Sequence, residues 1–329
     1  MALFKKFAVT KRVKLVIMRN SFKEMERSLI EAARPMGIPT LVIQHGLVGD
    51  PNMSDPLCAD MIAVWGNASI EWYKRFGHKA DRCAVTGNPA YDELYPRSFA
   101  DNQDCIRKAV CAKLGLDPAK KIITFLTQYV YLFGTCFSRG NKSSVEFKAV
   151  LDAVKYLPEA QLIVKLHPFD SNADFYKHAI QTHKAGTKIV LIKEINTLDV
   201  LAASDLAVIV DVSTCGLEAL ILDKPVIAVE LHKTVTKLFY ADGGAAIGAK
   251  SARDIETAIK NALYDEKTRA LLRSKRRDFI FNYAYEIDGQ ATKRVEELIH
   301  KLMGSHQQRR ANVDAGVINN EYSLSKSFM

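Results

Sequence analysis

Short apolar runs rich in β-branched residues alternate with amphipathic stretches of helical period along most of the chain, and this alternation confines it to the α/β class. Val13–Ile17, Thr40–Ile43, Met61–Val64 and Cys83–Thr86 read as strands, followed by Lys121–Thr127, Gln161–Lys165, Lys188–Ile192, Leu206–Val210 and Pro225–Val229. Their residues are apolar in succession rather than in alternation. Strands of that kind are buried on both faces, as in a parallel sheet covered by helices. The helical stretches fall between them. Ser21–Arg34 has its apolar residues at Met25, Leu29, Ile30 and Ala33, with Ser21 expected as N-cap, Glu24 three residues on, and Gly37 as the stop. Ile70–Phe76, Gln103–Leu114, Val145–Tyr156, Ala173–His183, Leu198–Ala203 and Cys215–Leu222 supply the others.

The segment Tyr91–Asn102 is polar, carries Pro96 and lacks a period, so it is expected to connect two domains. The expected layout is an N-terminal Rossmann-like domain over residues 1–97, short for its kind, and a nucleotide-binding Rossmann-like domain over 98–289. A C-terminal helix over 290–304 and a disordered tail over 305–329 complete it. Asp254–Leu263 and Glu266–Asn282 add two late helices, and no repeat of solenoid length is present.

The 329 residues suffice for two such domains, and 48% are hydrophobic and 25% charged, a globular balance. No run approaches the roughly 18 apolar residues of a membrane span, and no secretory signal is visible, so a cytoplasmic protein is expected. Six cysteines lie scattered without a CxxC pair, which argues against zinc and redox motifs. The net charge of +9 suits phosphorylated ligands or an anionic membrane surface, and equally plain solubility. Lys5, Lys6, Lys11, Arg12 and Lys14 lie among Leu3, Phe4, Phe7 and Val9. That segment reads as solvated chain or as a peripheral contact with the inner membrane face. Basic residues are not interleaved with aromatics, so nucleic acid is not expected as a partner.

In an open parallel sheet, ligands bind beyond the carboxyl ends of the strands. The residues standing there are Gln44-His45-Gly46, Gly66, Gly87-Asn88-Pro89, Gln128, His167-Pro168, Glu194, and the turn from Asp211 to Thr214. Lys165 and His167 flank Leu166 at a strand end, so alternation puts them on one face, where an ammonium and an imidazole can clamp a phosphate leaving group. The same pair also fits a solvated strand-end lysine and a turn histidine. In Ser213-Thr214-Cys215-Gly216-Leu217-Glu218, a buried strand enters a hydroxyl-rich turn and then a helix. Its N–H groups and hydroxyls suit phosphate, and Glu218, one turn in, can accept both hydroxyls of a ribose. A simple N-cap with a dipole-matching acid fits as well.

Lys165-Leu166-His167-Pro168, Ser213-Thr214, Gly216-Leu217-Glu218-Ala219-Leu220 and Asp223-Lys224-Pro225-Val226-Ile227 together resemble the donor lobe of GT-B glycosyltransferases. Gly37-Ile38-Pro39 running into Gln44-His45-Gly46, Val85-Thr86-Gly87-Asn88-Pro89 with Asp92, and Asp288-Gly289 before the last helix extend the resemblance from Gly37 to Leu302. Within that group the chain is similar to bacterial surface-polysaccharide enzymes: capsule Kdo transferases, polysialyltransferases and CDP-glycerol glycerophosphotransferases.

The resemblance implies two domains facing a cleft and transfer of a glycosyl or polyol-phosphate group from a nucleotide-activated donor, with a cytidine nucleotide favoured, to a glycan or glycolipid acceptor. Displacement at the donor carbon is the expected mechanism. It implies that Lys165 and His167 stabilise the departing nucleotide, that Ser213 and Thr214 hold phosphate, and that Glu218 holds the ribose. It further implies that Gln128 faces the cleft and that His45 is a candidate base or acceptor contact. An imidazole that titrates near neutrality can take a proton from a hydroxyl. Asp50, Asp55 and Asp60 are acidic alternatives that no spacing singles out. With no Asp-x-Asp after a strand, transfer without metal and without a cofactor is expected. A UDP-N-acetylglucosamine 2-epimerase-like enzyme and a non-catalytic nucleotide-binding module are the other readings.

Overall fold

The computed structural model describes residues 2–48, 57–128, 143–183, 186–210, 212–231 and 238–314. The chain forms two compact units, one of Met1–Pro89 together with the chain from Gln290, the other of Ala90–Gly289. Both are parallel α/β layers, as the alternation requires.

The first unit begins with helix α1 (Ala2–Thr10), where solvated chain or a membrane contact is expected from sequence. Ala8 buries against Ala33 and Ile38, with Phe4 packed beside them, which is why the segment coils. Strand β1 (Val16–Met18), helix α2 (Glu24–Ala33), strands β2 (Thr40–Ile43) and β3 (Met61–Val64), helix α3 (Asn67–Arg75) and strand β4 (Cys83–Val85) follow. The sheet order is β1-β2-β3-β4, with Val16 opposite Thr40, Leu41 opposite Met61 and Ile62 opposite Cys83. Helix α2 starts later than Ser21. Lys23 holds the N-cap position, and the Ser21 hydroxyl instead accepts the Cys58 N–H. Gly37 stops the helical segment at φ 64°, a left-handed conformation that glycine adopts without strain.

The second unit opens with helices α4 (Leu94–Arg97) and α5 (Ala100–Leu114). The connecting segment expected to be irregular is thus largely helical, and the boundary between units falls after Pro89 rather than after residue 97. The cause is burial, since Tyr91 and Leu94 pack inside. Next come β5 (Lys121–Leu126), α6 (Ser143–Val154), β6 (Ala160–Lys165), α7 (Ala173–Thr182), β7 (Lys188–Ile192), α8 (Thr197–Ala203), β8 (Leu206–Val210), α9 (Thr214–Ile221) and β9 (Val226–Val229). Helix α10 (Phe239–Asp242), strand β10 (Ile247–Ala249), which the sequence reading does not contain, and helices α11 (Ala252–Tyr264) and α12 (Glu266–Ala284) complete it. The all-parallel order is β10-β9-β8-β5-β6-β7. From β5 the chain winds one way to β7, then returns to the other side of β5 and winds outward to β10. The switch point lies between β5 and β8, where such sheets open a ligand crevice.

Helix α13 (Ala291–Asp314) belongs to the first unit, where Val295 and Leu298 pack on Leu41 and Ala63. It runs ten residues beyond the expected stop at 304. Residues 315–329 of the expected tail lie outside the described residues. Cys58, Cys83, Cys105, Cys111 and Cys215 are free thiols, and Cys136 lies outside the described residues. Among the described residues no helix is long and apolar enough to cross a membrane.

Candidate functional site

The switch point of the six-stranded sheet gathers the ends of β5 and β6 and the start of α9. Thr127 and Gln128 follow β5, and Gln128 is half-buried there. Lys165 closes β6, its backbone carbonyl accepting the Thr127 N–H at 3.0 Å. The ladder would next require a main-chain acceptor for His167. The Thr127 hydroxyl takes that place, accepting the His167 N–H at 2.9 Å.

The turn after His167 is closed by the Asp170 N–H on the His167 carbonyl at 2.9 Å. Asp170 is only 3% exposed, and its carboxylate accepts from the Thr127 hydroxyl at 3.0 Å, the Tyr176 hydroxyl at 3.1 Å and the Asn172 N–H at 2.9 Å. At the top of the turn the Phe169 N–H reaches His167 Nδ1 at 3.1 Å. A backbone N–H only donates, so Nδ1 is the acceptor and the neutral ring carries its proton on Nε2. Burial, with the Lys165 and Lys193 ammoniums, holds the imidazole below its ordinary pKa, against the opposing pull of Asp170.

Lys165, expected as half of a phosphate clamp, has its ammonium against main-chain carbonyls. The side chain is 4% exposed, and Nζ donates to the Lys193 carbonyl at 2.6 Å and the Leu166 carbonyl at 3.3 Å. Burial pushes its pKa down. The chain just past β7 offers the Lys193 carbonyl, which with the Leu166 carbonyl captures the ammonium. Among the described residues an exposed ammonium here belongs to Lys193, whose Nζ rests on the Asp170 carbonyl at 3.2 Å.

Ser213 takes the N-cap position of α9 without a capping hydrogen bond from its side chain, which instead bonds Cys215. Its carbonyl accepts the hydroxyl of fully buried Tyr240. Thr214 is the first helical residue. Gly216 lets this turn lie against the sheet: a Cβ there would come within 2.6 Å of Ile209 Cδ1 and 2.7 Å of Tyr240 Cζ. Burial lifts the Glu218 carboxyl to about 7, although the Cys215 thiol hydrogen-bonds it and works the other way. Cys215 is also within electrostatic reach of Lys165. Thus Lys165, His167, Ser213, Thr214 and Glu218 stand at one end of one sheet. Asp211, part of the same turn in sequence, lies outside the described residues.

His45 belongs to the first unit. It follows β2 and is exposed, with Nδ1 at 2.8 Å from the Arg19 carbonyl. Gln44 holds that turn, accepting the Trp65 N–H on Oε1 and donating to the Gly46 carbonyl. Asp60 is committed elsewhere, since its carboxylate accepts both the N–H and the hydroxyl of Thr40. Asp50 and Asp55 lie outside the described residues. The sequence reading passed over Thr127, Asp170 and Lys193. The spacing His167-x-x-Asp170, an acid closing a turn, was the available signal.

A family model described as CDP-Glycerol:Poly(glycerophosphate) glycerophosphotransferase matches residues 62–301. No curated protein matches the chain. Among solved structures, a UDP-GlcNAc 2-epimerase from Neisseria meningitidis bound to UDP-GlcNAc is similar with a TM-score of 0.64 at 16% identity, over 91% of this chain and 80% of that one. A putative UDP-N-acetylglucosamine 2-epimerase from Listeria monocytogenes gives 0.63 at 17%, over 91% and 77%. The wall teichoic acid polymerase TagF gives 0.54 at 16%, over 82% and 69%. At these identities the likenesses are of fold.

Proposed function

Because the chain belongs to the CDP-glycerol:poly(glycerophosphate) glycerophosphotransferase family and is thereby a transferase of GT-B type, we propose that it moves a glycerophosphoryl group from a cytidine diphosphate donor to a hydroxyl of a surface polymer. A phosphoryl donor shifts the point of attack from carbon, expected for a glycosyl group, to phosphorus. The acceptor oxygen forms a new P–O bond, the P–O bond to the cytidine phosphate breaks, CMP departs with the electron pair, and the acceptor proton passes to a base.

The observation that carries this reading is the His167 turn beside the start of α9. A neutral imidazole with its proton on Nε2 donates to the oxygen that gains charge as CMP leaves. The N-terminal N–H groups of α9, with Ser213 and Thr214, take the adjoining phosphate. Glu218 takes the ribose hydroxyls, Gln128 contacts the donor, Lys193 adds an exposed cation, and Lys165 positions the ends of β6 and β7. His45 is the base. These roles do not require a cofactor.

The acceptor is taken to lie at an anionic membrane surface. Helix α1 leaves Leu3, Phe7 and Val9 exposed, and residues 1–34 hold nine Lys or Arg against three Glu. Flotation with vesicles of anionic lipid, but not with neutral ones, is the expected result, and equal recovery from both refutes this contact.

The test of the reaction is CMP release from CDP-glycerol with and without a glycerophosphate polymer. Release is expected only with the acceptor, and His167→Ala should abolish it while the melting temperature holds. Retained turnover in that variant removes His167 from the mechanism. Formation of a new UDP-sugar from UDP-N-acetylglucosamine alone would instead establish the epimerase reading.

A further inference from the structure

We propose that Asp170 and Thr127 form a tautomer lock, positioning residues that keep the His167 proton on Nε2. The inference rests on the reading of His167 as the leaving-group donor.

The lock follows from which groups can only donate and which can only accept. An ionised carboxylate accepts only, so the single proton of the Thr127 hydroxyl goes to Asp170, at 3.0 Å. That leaves the Thr127 oxygen lone pairs for the His167 N–H, at 2.9 Å. The hydroxyl therefore has one sensible orientation. Asp170 is held from α7 by Tyr176 and from its own turn by Asn172. Its main chain is held at both ends, by the His167 carbonyl through its N–H and by Lys193 through its carbonyl. A turn fixed at residues 167 and 170 has little freedom left, and the Phe169 N–H is delivered to Nδ1.

Protonating Nδ1 would set two donors against each other. Moving the neutral proton from Nε2 to Nδ1 would do the same, so both alternatives to the Nε2–H form are disfavoured by one hydrogen bond. Burial opposes protonation most; among the described residues the charged groups facing the ring are Asp170, which favours protonation, and Lys165 and Lys193, which oppose it, and the sum holds the ring neutral. The consequence is chemical. In the Nε2–H form the ring donates to a phosphate oxygen. In the other neutral form Nε2 offers a lone pair, which repels one.

The test measures the ring directly. In 15N-labelled protein, the His167 signals are assigned by comparison with His167→Gln and read near pH 7. The wild type should show Nε2 protonated and Nδ1 not. Thr127→Val, which keeps the shape and removes the hydroxyl, and Asp170→Asn should both give a mixture of tautomers. Their kcat should fall about ten- to a hundredfold, the range typical for lost outer hydrogen-bond partners, with donor KM changed less than about threefold. Thr127→Ser should restore both the signal and kcat. If Asp170→Asn does not fold, Thr127→Val carries the test by itself. A pure Nε2–H ring in Thr127→Val, or a wild-type ring protonated on Nδ1, overturns the lock. Retained turnover in His167→Ala would instead remove the leaving-group reading, and the nitrogen signals would still decide the lock.

Discussion

His45 donates its Nδ1–H to the main-chain carbonyl of Arg19 at 2.8 Å, since a carbonyl can only accept. The bond ties the end of β2 to the end of β1, and in the neutral ring it assigns the lone pair to Nε2, the form a general base needs. Asparagine can keep the donor near Arg19 and has no basic nitrogen. His45→Asn should therefore fold and bind CDP-glycerol as the wild type does, while kcat falls about 10²–10⁴-fold, the usual worth of a positioned base. Steady-state kinetics with calorimetric donor binding check this, and an unchanged kcat removes His45 from the reaction.

Glu218 gives the site a pH dependence whose sign can be fixed. Its folded pKa of about 7 exceeds the ordinary 4.5 because burial disfavours the charge. The folded protein therefore holds a proton that the unfolded chain has released. The resulting stability is complete below about 4.5 and is lost as pH rises through about 7. Ribose hydroxyls are best held by the ionised form, so nucleotide affinity should rise from pH 6 to pH 8 as stability falls. Glu218→Gln should flatten both trends. Melting curves and CMP titrations across that range decide the matter, and an undiminished affinity slope in the glutamine variant refutes the ribose assignment.

The two lysines near His167 should separate cleanly. Lys165→Met strips the partner from the Lys193 and Leu166 carbonyls, at a cost of about 1–3 kcal/mol for each buried group left unpaired. Its main effect should be on the melting temperature. Lys193→Met removes an exposed charge anchored by one 3.2 Å bond, so the melt should barely move while donor KM rises. The reverse pattern, with Lys165→Met fully stable and unable to bind donor, would restore Lys165 as the phosphate clamp.

Strands buried on both faces were legible because their physics is local. Thr40–Ile43, Met61–Val64, Lys188–Ile192 and Leu206–Val210 appear with the expected ends. Helix α1 and the turns around Leu94 were not, because burial that no local period announces accompanies each, of Ala8 against Ala33 in the first and of Tyr91 and Leu94 in the second. The placement of His167, Ser213 and Glu218 at one sheet end was equally readable, since strand ends in a parallel sheet converge. The destination of the Lys165 ammonium was not. Alternation gives the face a side chain leaves from, and the nearer of the two carbonyls that capture it belongs to Lys193, just past β7 and 28 residues away.

Gly216 bears on whether the start of α9 holds phosphate at all. No space exists for a side chain between this turn, Ile209 and Tyr240, and Tyr240 in turn donates its hydroxyl to the Ser213 carbonyl. A methyl group at position 216 must push the helix start outward or displace Tyr240, and either motion disturbs the N–H groups proposed to meet the donor. Gly216→Ala should lower stability by about 1–3 kcal/mol, the usual cost of overpacking. It should also shrink the rise in melting temperature that saturating CMP gives the wild type. Overpacking alone would lower both melts equally and leave that rise intact, so an unchanged rise would mean that the nucleotide phosphate binds elsewhere.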